Sequence, residues 1–158
     1  MILLRDIRPD ELSVLSELCL RSKAVWGYDD AFMRACRDEL TLRPDHLHDS
    51  HFQVAERDAT AVGVAQIRIN GRDADLARLF VEPVMIGAGV GRLLFGWAAT
   101  RARHLGAVAM TIEADPGAAP FYERMGARQI GLVPSQSIAG RMLPYLRLDL
   151  ARQTGLPR

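Results

Sequence analysis

The chain has 158 residues, enough for one domain around one sizeable core. Apolar residues make up 49% and charged residues 25%, the mixture of an ordinary soluble globule. A balance of 20 basic against 19 acidic residues argues against a general nucleic-acid binder, and no apolar run reaches the ~18 residues of a membrane span, so neither partner is expected.

The chain opens on a weakly alternating segment, residues 1–8, that reads as a strand. Arg5 and Asp6 follow its apolar start too soon for a secretory signal. Pro9 and Asp10 then open a helix, with Leu12, Leu15, Leu18 and Cys19 at the spacing of a buried stripe. Trp26-Gly27-Tyr28-Asp29-Asp30 interrupts it, and a second helix carrying Phe32, Met33, Cys36 and Leu40 runs up to the break at Arg43-Pro44. Strands are predicted over 51–57 and 61–69, joined by a polar turn at Asp58 to Thr60. Asn70-Gly71 is a hairpin signal leading into a third strand, 74–82. A glycine-rich turn precedes a helix over 89–104, which Gly106 ends. A strand over 107–113, a short helix over 117–125 and strands near 127–133 and 142–150 complete the pattern, with a frayed tail from Gln153 to Arg158. The expected fold is an α/β single domain, residues 1–158, with a mixed sheet flanked by helices in the order βααβββαβαββ. Both cysteines lie in helical patterns, so reduced thiols in a cytoplasmic protein are expected rather than a disulfide framework. The single lysine, Lys23, carries no catalytic reading, because a compositional bias toward arginine explains it equally well.

The main chemical signal is Gly87-Ala88-Gly89-Val90-Gly91-Arg92-Leu93, placed between a strand and a helix. Glycines let an anion approach peptide N–H groups, and the first turn of a helix offers N–H groups with no intrahelical partner. Two familiar phosphate loops fail on spacing. A dinucleotide fingerprint would need glycine where Arg92 stands, and a nucleoside-triphosphate loop would need a Lys and a hydroxyl after Gly91, where Arg92 and Leu93 stand. On spacing alone a plain strand-to-helix turn remains an alternative.

A second segment, Asp115-Pro116-Gly117-Ala118-Ala119-Pro120-Phe121-Tyr122-Glu123-Arg124-Met125-Gly126, follows a strand and carries an aromatic pair. Together the two segments resemble the GNAT superfamily of acyl-CoA-dependent N-acyltransferases over about residues 60–150. Gly89 and Gly91 match the family's pyrophosphate loop, and Ala118, Tyr122 and Gly126 match its later helix. Ile86 stands where the loop usually has Arg or Gln, and Asp115 where the helix motif usually has Asn; the latter keeps an acceptor and a helix cap.

The resemblance implies acetyl transfer from acetyl-CoA, used as a co-substrate, to a primary amine of a small molecule through a tetrahedral intermediate. It assigns the phosphates to the amides of Gly87 to Leu93. The peptide-like pantetheine arm is assigned to the strand edge Leu79-Phe80-Val81, which also offers an N–H to the oxyanion. Asp115 and Ala118 complete the cofactor side, and Tyr122 faces the leaving thiolate as a hydrogen-bond donor. Only about one alkylamine in two thousand is neutral at pH 7, so a base is expected, with Glu82 and Glu113 as candidates. Either could equally be a solvated strand-end carboxylate.

Trp26, Tyr28, Asp29 and Asp30 are candidates for the acceptor pocket of a cationic amine, and equally for a helix-breaking turn. Arg141, in the loop 135–141, is a candidate for pairing with an acceptor carboxylate. The spacing of His46, His48 and His51 reads as a surface loop rather than a zinc site, and no metal is expected. A homodimer is left open. The alternatives to a small-molecule enzyme are a non-catalytic acyl-CoA-binding regulatory domain and a protein N-acetyltransferase.

Overall fold

The computed structural model describes residues 1–150 of the chain; the expected frayed tail lies outside the described residues. The element order is β1 (Leu3–Arg5), α1 (Leu12–Ala24), α2 (Asp30–Leu40), α3 (His46–Asp49), β2 (His51–Arg57), β3 (Thr60–Asn70), β4 (Asp73–Val81), α4 (Val90–His104), β5 (Ala109–Glu113), α5 (Ala119–Arg124), β6 (Arg128–Pro134) and β7 (Met142–Asp149). This is the expected order with two corrections. The first strand is three residues long, because Pro9 opens a 3₁₀ turn that leads directly into α1. The histidine segment forms the short α3 instead of a loop: His46 is buried and its Nδ1 accepts the Arg43 N–H at 3.0 Å.

Among the described residues, seven strands form one sheet in the order β1-β2-β3-β4-β5-β7-β6. All neighbours are antiparallel except β4 and β5, which run parallel for only three pairs: Asp73 with Ala109, Ala74 with Met110, and Asp75 with Thr111. Beyond Asp75 and Thr111 the strands part. β5 continues against β7 as far as Glu113 and Tyr145, while β4 stays with β3 as far as Gly63 and Val81.

A bulge at Ala77 accompanies this parting, since Ile67 faces Leu76 and Gln66 faces Arg78. An extra residue bends a strand and inverts the side-chain alternation beyond it. Ala74 and Leu76 accordingly join the core under α4 and α5, whereas Phe80 packs with α1 and α2 on the opposite face. Arg78 is turned to that face too. It is 6% exposed, donates to Gln66 Oε1, and reaches the carbonyls of Glu39 (2.8 Å) and Thr41 (3.2 Å) at the end of α2. Those carbonyls lack helical partners, so the guanidinium both caps α2 and fixes it to the sheet.

Gly63 sits where α4 crosses β3. A Cβ there would lie 2.8 Å from Leu94 Cδ1, 2.9 Å from Val90 Cγ1 and 3.2 Å from the Phe80 carbonyl oxygen. Its missing side chain lets the first turns of α4 approach the sheet. Gly63→Val is expected to lower stability by about 1–3 kcal/mol through overpacking, read as a lower urea midpoint at unchanged slope. A midpoint equal to wild type would show that this approach is not tight.

Candidate functional site

The gap between β4 and β5 is bounded at one end by the turn into α4. Gly89 is the N-cap of α4 with φ +93°, and Gly87 has φ +89°; both are in the left-handed region that favours glycine. A Cβ on either would meet nothing within 4 Å, so the space beside both is open. The N–H of Ala88 is used by the Met85 carbonyl (3.1 Å) and that of Leu93 by the Gly89 carbonyl (3.1 Å). The amides of Val90, Gly91 and Arg92, in the first helical turn, have no preceding turn to donate to, which gives the loop an anion-binding rim. Ile86 is 55% exposed.

The second segment packs directly against the first. A Cβ on Gly91 would be 3.4 Å from Phe121 Cζ. Phe121 and Tyr122 in turn enclose Phe95 of α4, with ring centroids at 6.2 and 5.9 Å. Tyr122 is 7% exposed. Burial, and then the nearby Asp115 carboxylate, push its phenol above the ordinary tyrosine range, which keeps it protonated.

The expected strand edge is half available. The Glu82 N–H donates to the Val62 carbonyl at 2.8 Å, so strand alternation turns the Phe80 amide toward β3 as well. This corrects the inclusion of Phe80 in the free edge. Leu79 and Val81 present their backbone groups to the gap, and the Val81 N–H rests on Ser22 Oγ of α1 at 3.3 Å.

Of the two candidate bases, Glu82 is held by Arg21 in a two-pronged pair of 2.8 and 2.7 Å. That bond outweighs the effect of burial and lowers its pKa below the ordinary range, the opposite of what a base near neutrality needs. This corrects its candidacy. Glu113 has a raised pKa, from burial first and then from the charges of Asp75 and Glu39.

Asp29 is likewise corrected. Its Oδ1 accepts the Phe32 N–H at 2.9 Å, so its carboxylate is engaged as the N-cap of α2. Asp30 follows it, exposed on the first turn of that helix. Asp115 does not cap α5 as expected, since Ala118 is the N-cap there; its Oδ1 accepts the Gly117 N–H at 2.9 Å and closes the turn ahead of the helix. Trp26 covers that turn: a Cβ on Gly117 would lie 2.7 to 2.9 Å from its ring. The Tyr28 hydroxyl donates to Asp115 Oδ2 at 2.7 Å, and Arg141 Nη2 donates to the same hydroxyl at 2.5 Å. The 26–30 segment and the 135–141 loop therefore do face one another. Burial, followed by the bond to Asp115, pushes the Tyr28 phenol up to about 12.

Lys23 is the residue that sequence reasoning missed. Its Nζ lies 3.2 Å from Asp115 Oδ2 and above the stacked rings of Tyr28 and Phe32. Being the only lysine was the available signal. Among the described residues no three His, Cys, Asp or Glu side chains gather to hold a metal.

A family model described as an acetyltransferase (GNAT) domain matches residues 15–140. The chain belongs to this GNAT acetyltransferase family. No curated protein matches it. Among solved structures it is similar to a GCN5-related N-acetyltransferase from Rhodopseudomonas palustris, with 22% identity, 94% of this chain and 95% of that one covered, and a TM-score of 0.78. The PaiA N-acetyltransferase of Thermoplasma acidophilum, in complex with coenzyme A, is 18% identical over 94% and 99% of the two chains, with a TM-score of 0.76. The ribosomal-protein-S18-alanine N-acetyltransferase of Escherichia coli is 14% identical over 99% and 100%, with a TM-score of 0.70. The GNAT fold and the N-acetyltransferase class are therefore those of this chain.

Gly89→Val in this GNAT domain forces a β-branched residue into the left-handed region and puts its side chain into the open cradle, at a conformational cost of about 1–3 kcal/mol. Calorimetry on the folded variant is expected to show CoA affinity lowered by about ten-fold or more. Unchanged affinity would move the phosphates away from this loop.

Proposed function

We propose that this GNAT enzyme transfers the acetyl group of acetyl-CoA to the primary amine of a small molecule. The observation that carries the reading is the gap between β4 and β5, with an open glycine cradle at its mouth and the helix that bears Tyr122 packed against the first turns of α4. The pyrophosphate sits on the Val90, Gly91 and Arg92 amides, where several N–H groups and the helix N-terminus act together. The pantetheine arm runs along Leu79 and Val81 as an added strand, and a gap-facing N–H there receives the charge of the tetrahedral intermediate.

Tyr122 donates a hydrogen bond to the departing thiolate. Its raised pKa makes complete proton transfer unfavourable, so it stabilises developing negative charge and the proton stays on the phenol. Glu113 is the base candidate that survives. A carboxylate whose pKa is raised loses its proton at higher pH than an ordinary glutamate and is a stronger acceptor for the amine proton. A small acceptor is favoured over a protein because Tyr28, Trp26 and Arg141 bring the α1–α2 junction against the 115–117 turn and the 135–141 loop, which narrows the acceptor side. The two free, buried thiols of Cys19 and Cys36 suit a cytoplasmic setting.

Release of free CoA thiol across a panel of small amines and peptides tests this reading. At least one small amine is expected to turn over faster than any peptide. With that acceptor, Tyr122→Phe is expected to lower kcat by about 10²–10⁴ while CoA affinity holds. Turnover confined to peptides would reassign the acceptor, and an unchanged kcat would reduce Tyr122 to a packing residue.

A further inference from the structure

Asp115 is the meeting point of two cations. Lys23 Nζ lies 3.2 Å and Arg141 Nη2 3.6 Å from its Oδ2, which also accepts the Tyr28 hydroxyl at 2.7 Å. The two cationic side chains are only 15% and 18% exposed. Both stand on the stacked rings of Tyr28 and Phe32: Lys23 Nζ is 5.6 and 6.0 Å from the ring centroids, and the Arg141 guanidinium 5.1 and 5.0 Å.

One carboxylate oxygen thus serves two positive charges in a setting where burial makes uncompensated charge costly. Arg141 has five N–H donors, and its side-chain hydrogen bond within the described residues is the single one to Tyr28. Among the described residues the only buried side-chain polar atom without a partner is Arg78 Nε, so the spare donors of Arg141 and Lys23 are within reach of solvent and of a bound ligand.

The stretch of chain just before Asp115 carries the opposite sign. The Ala114 N–H donates to the Pro144 carbonyl at 2.9 Å, which keeps the chain extended past β5. Alternation then puts Thr111, Glu113 and Asp115 on one face, with Glu113 and Asp115 about 7 Å apart along the chain. Asp75 is in register with Thr111 on that face. Glu39 accepts the Ser137 hydroxyl of the same loop that carries Arg141. Glu113 thus shares its face with Asp75 and feels the charge of Glu39, while two partly satisfied cations gather on Asp115, two residues along the chain.

We propose that the acceptor is a zwitterion, a primary amine with a carboxylate a few atoms away, as in an amino acid. The Arg141 fork and Lys23 take the carboxylate, and the ammonium turns toward Glu113. This rests on the acetyl-transfer reading above and adds the substrate class. A planar guanidinium matches a carboxylate with two parallel N–H bonds, and the lysine adds a point charge. Once the acceptor carboxylate is bound, two cations face two anions.

Matched acceptors test the proposal: an α-amino acid, its amide, and the amine left when the carboxyl group is removed. The amide is the control for amine reactivity, since it has more free base at neutral pH than the amino acid. With CoA-thiol release as readout, wild-type kcat/KM is expected to be about ten- to hundred-fold higher for the amino acid than for either relative. Arg141→Gln and Lys23→Met are expected to erase most of that advantage with CoA affinity unchanged, and Arg141→Lys to retain part of it. Equal turnover of the three acceptors, or an advantage that survives both substitutions, would overturn the proposal. So would a loss of CoA affinity in the variants, which would make the bound anion a cofactor phosphate. If no member of the set is acetylated, titration of the same compounds into CoA-saturated protein separates the two readings. Carboxylate-selective binding that the variants lose keeps the site while transfer to this class fails; binding that ignores the carboxylate, or none, overturns the site itself.

Discussion

Parallel pairing between β4 and β5 stops at Asp75 and Thr111, and each part of the site is placed relative to the gap that this early stop leaves. Two strands that part expose backbone groups that a continuous sheet would have paired, and buried backbone groups require partners. The bulge at Ala77 sets which face each β4 side chain takes beyond this point. It sends Arg78 and Phe80 toward α1 and α2 and leaves Leu79 and Val81 with their amides to the gap. The glycine cradle follows because β4 ends beside the gap and the chain turns directly into α4.

An open gap in a sheet needs something to hold its two sides, and the end of α1 does this. Arg21 and Ser22 grip the β4 side, through Glu82 and the Val81 amide. Lys23, Trp26 and Tyr28 grip the β5 side, through Asp115 and the Gly117 turn. Eight residues in succession thus bridge both halves of the sheet at the place where the strands do not pair. The arrangement explains why Glu82 is unsuited to base chemistry: its carboxylate is one anchor of the bridge, and removing its partner Arg21 would leave a partly buried charge alone.

Much of this was legible in the sequence, because glycine spacing, apolar periodicity and hairpin signals are local properties of the chain. The strand-to-helix cradle at Gly87 to Leu93 and the short helix bearing Tyr122 both lie where the pattern puts them. Relations between distant segments were not legible. Nothing local to Asp29 distinguishes an N-cap from a pocket carboxylate until Phe32 N–H is seen to point at it. Glu82 looked free because its partner lies 61 positions away. A single lysine reads as easily from composition as from function, and only the fold brings Lys23 to 3.2 Å from Asp115. Which residues of β4 face the gap depends on a single hydrogen bond, from the Glu82 amide to Val62, that no local pattern around Phe80 reveals.

Amide hydrogen exchange at Leu79 and Val81, with and without saturating CoA, is the most direct measure of whether the gap receives the pantetheine arm as an added strand. Slower exchange at both on binding, alongside protection at Val90 to Arg92, is the predicted result. Protection confined to the first turn of α4, with Leu79 and Val81 exchanging at the same rate in both states, would contradict it.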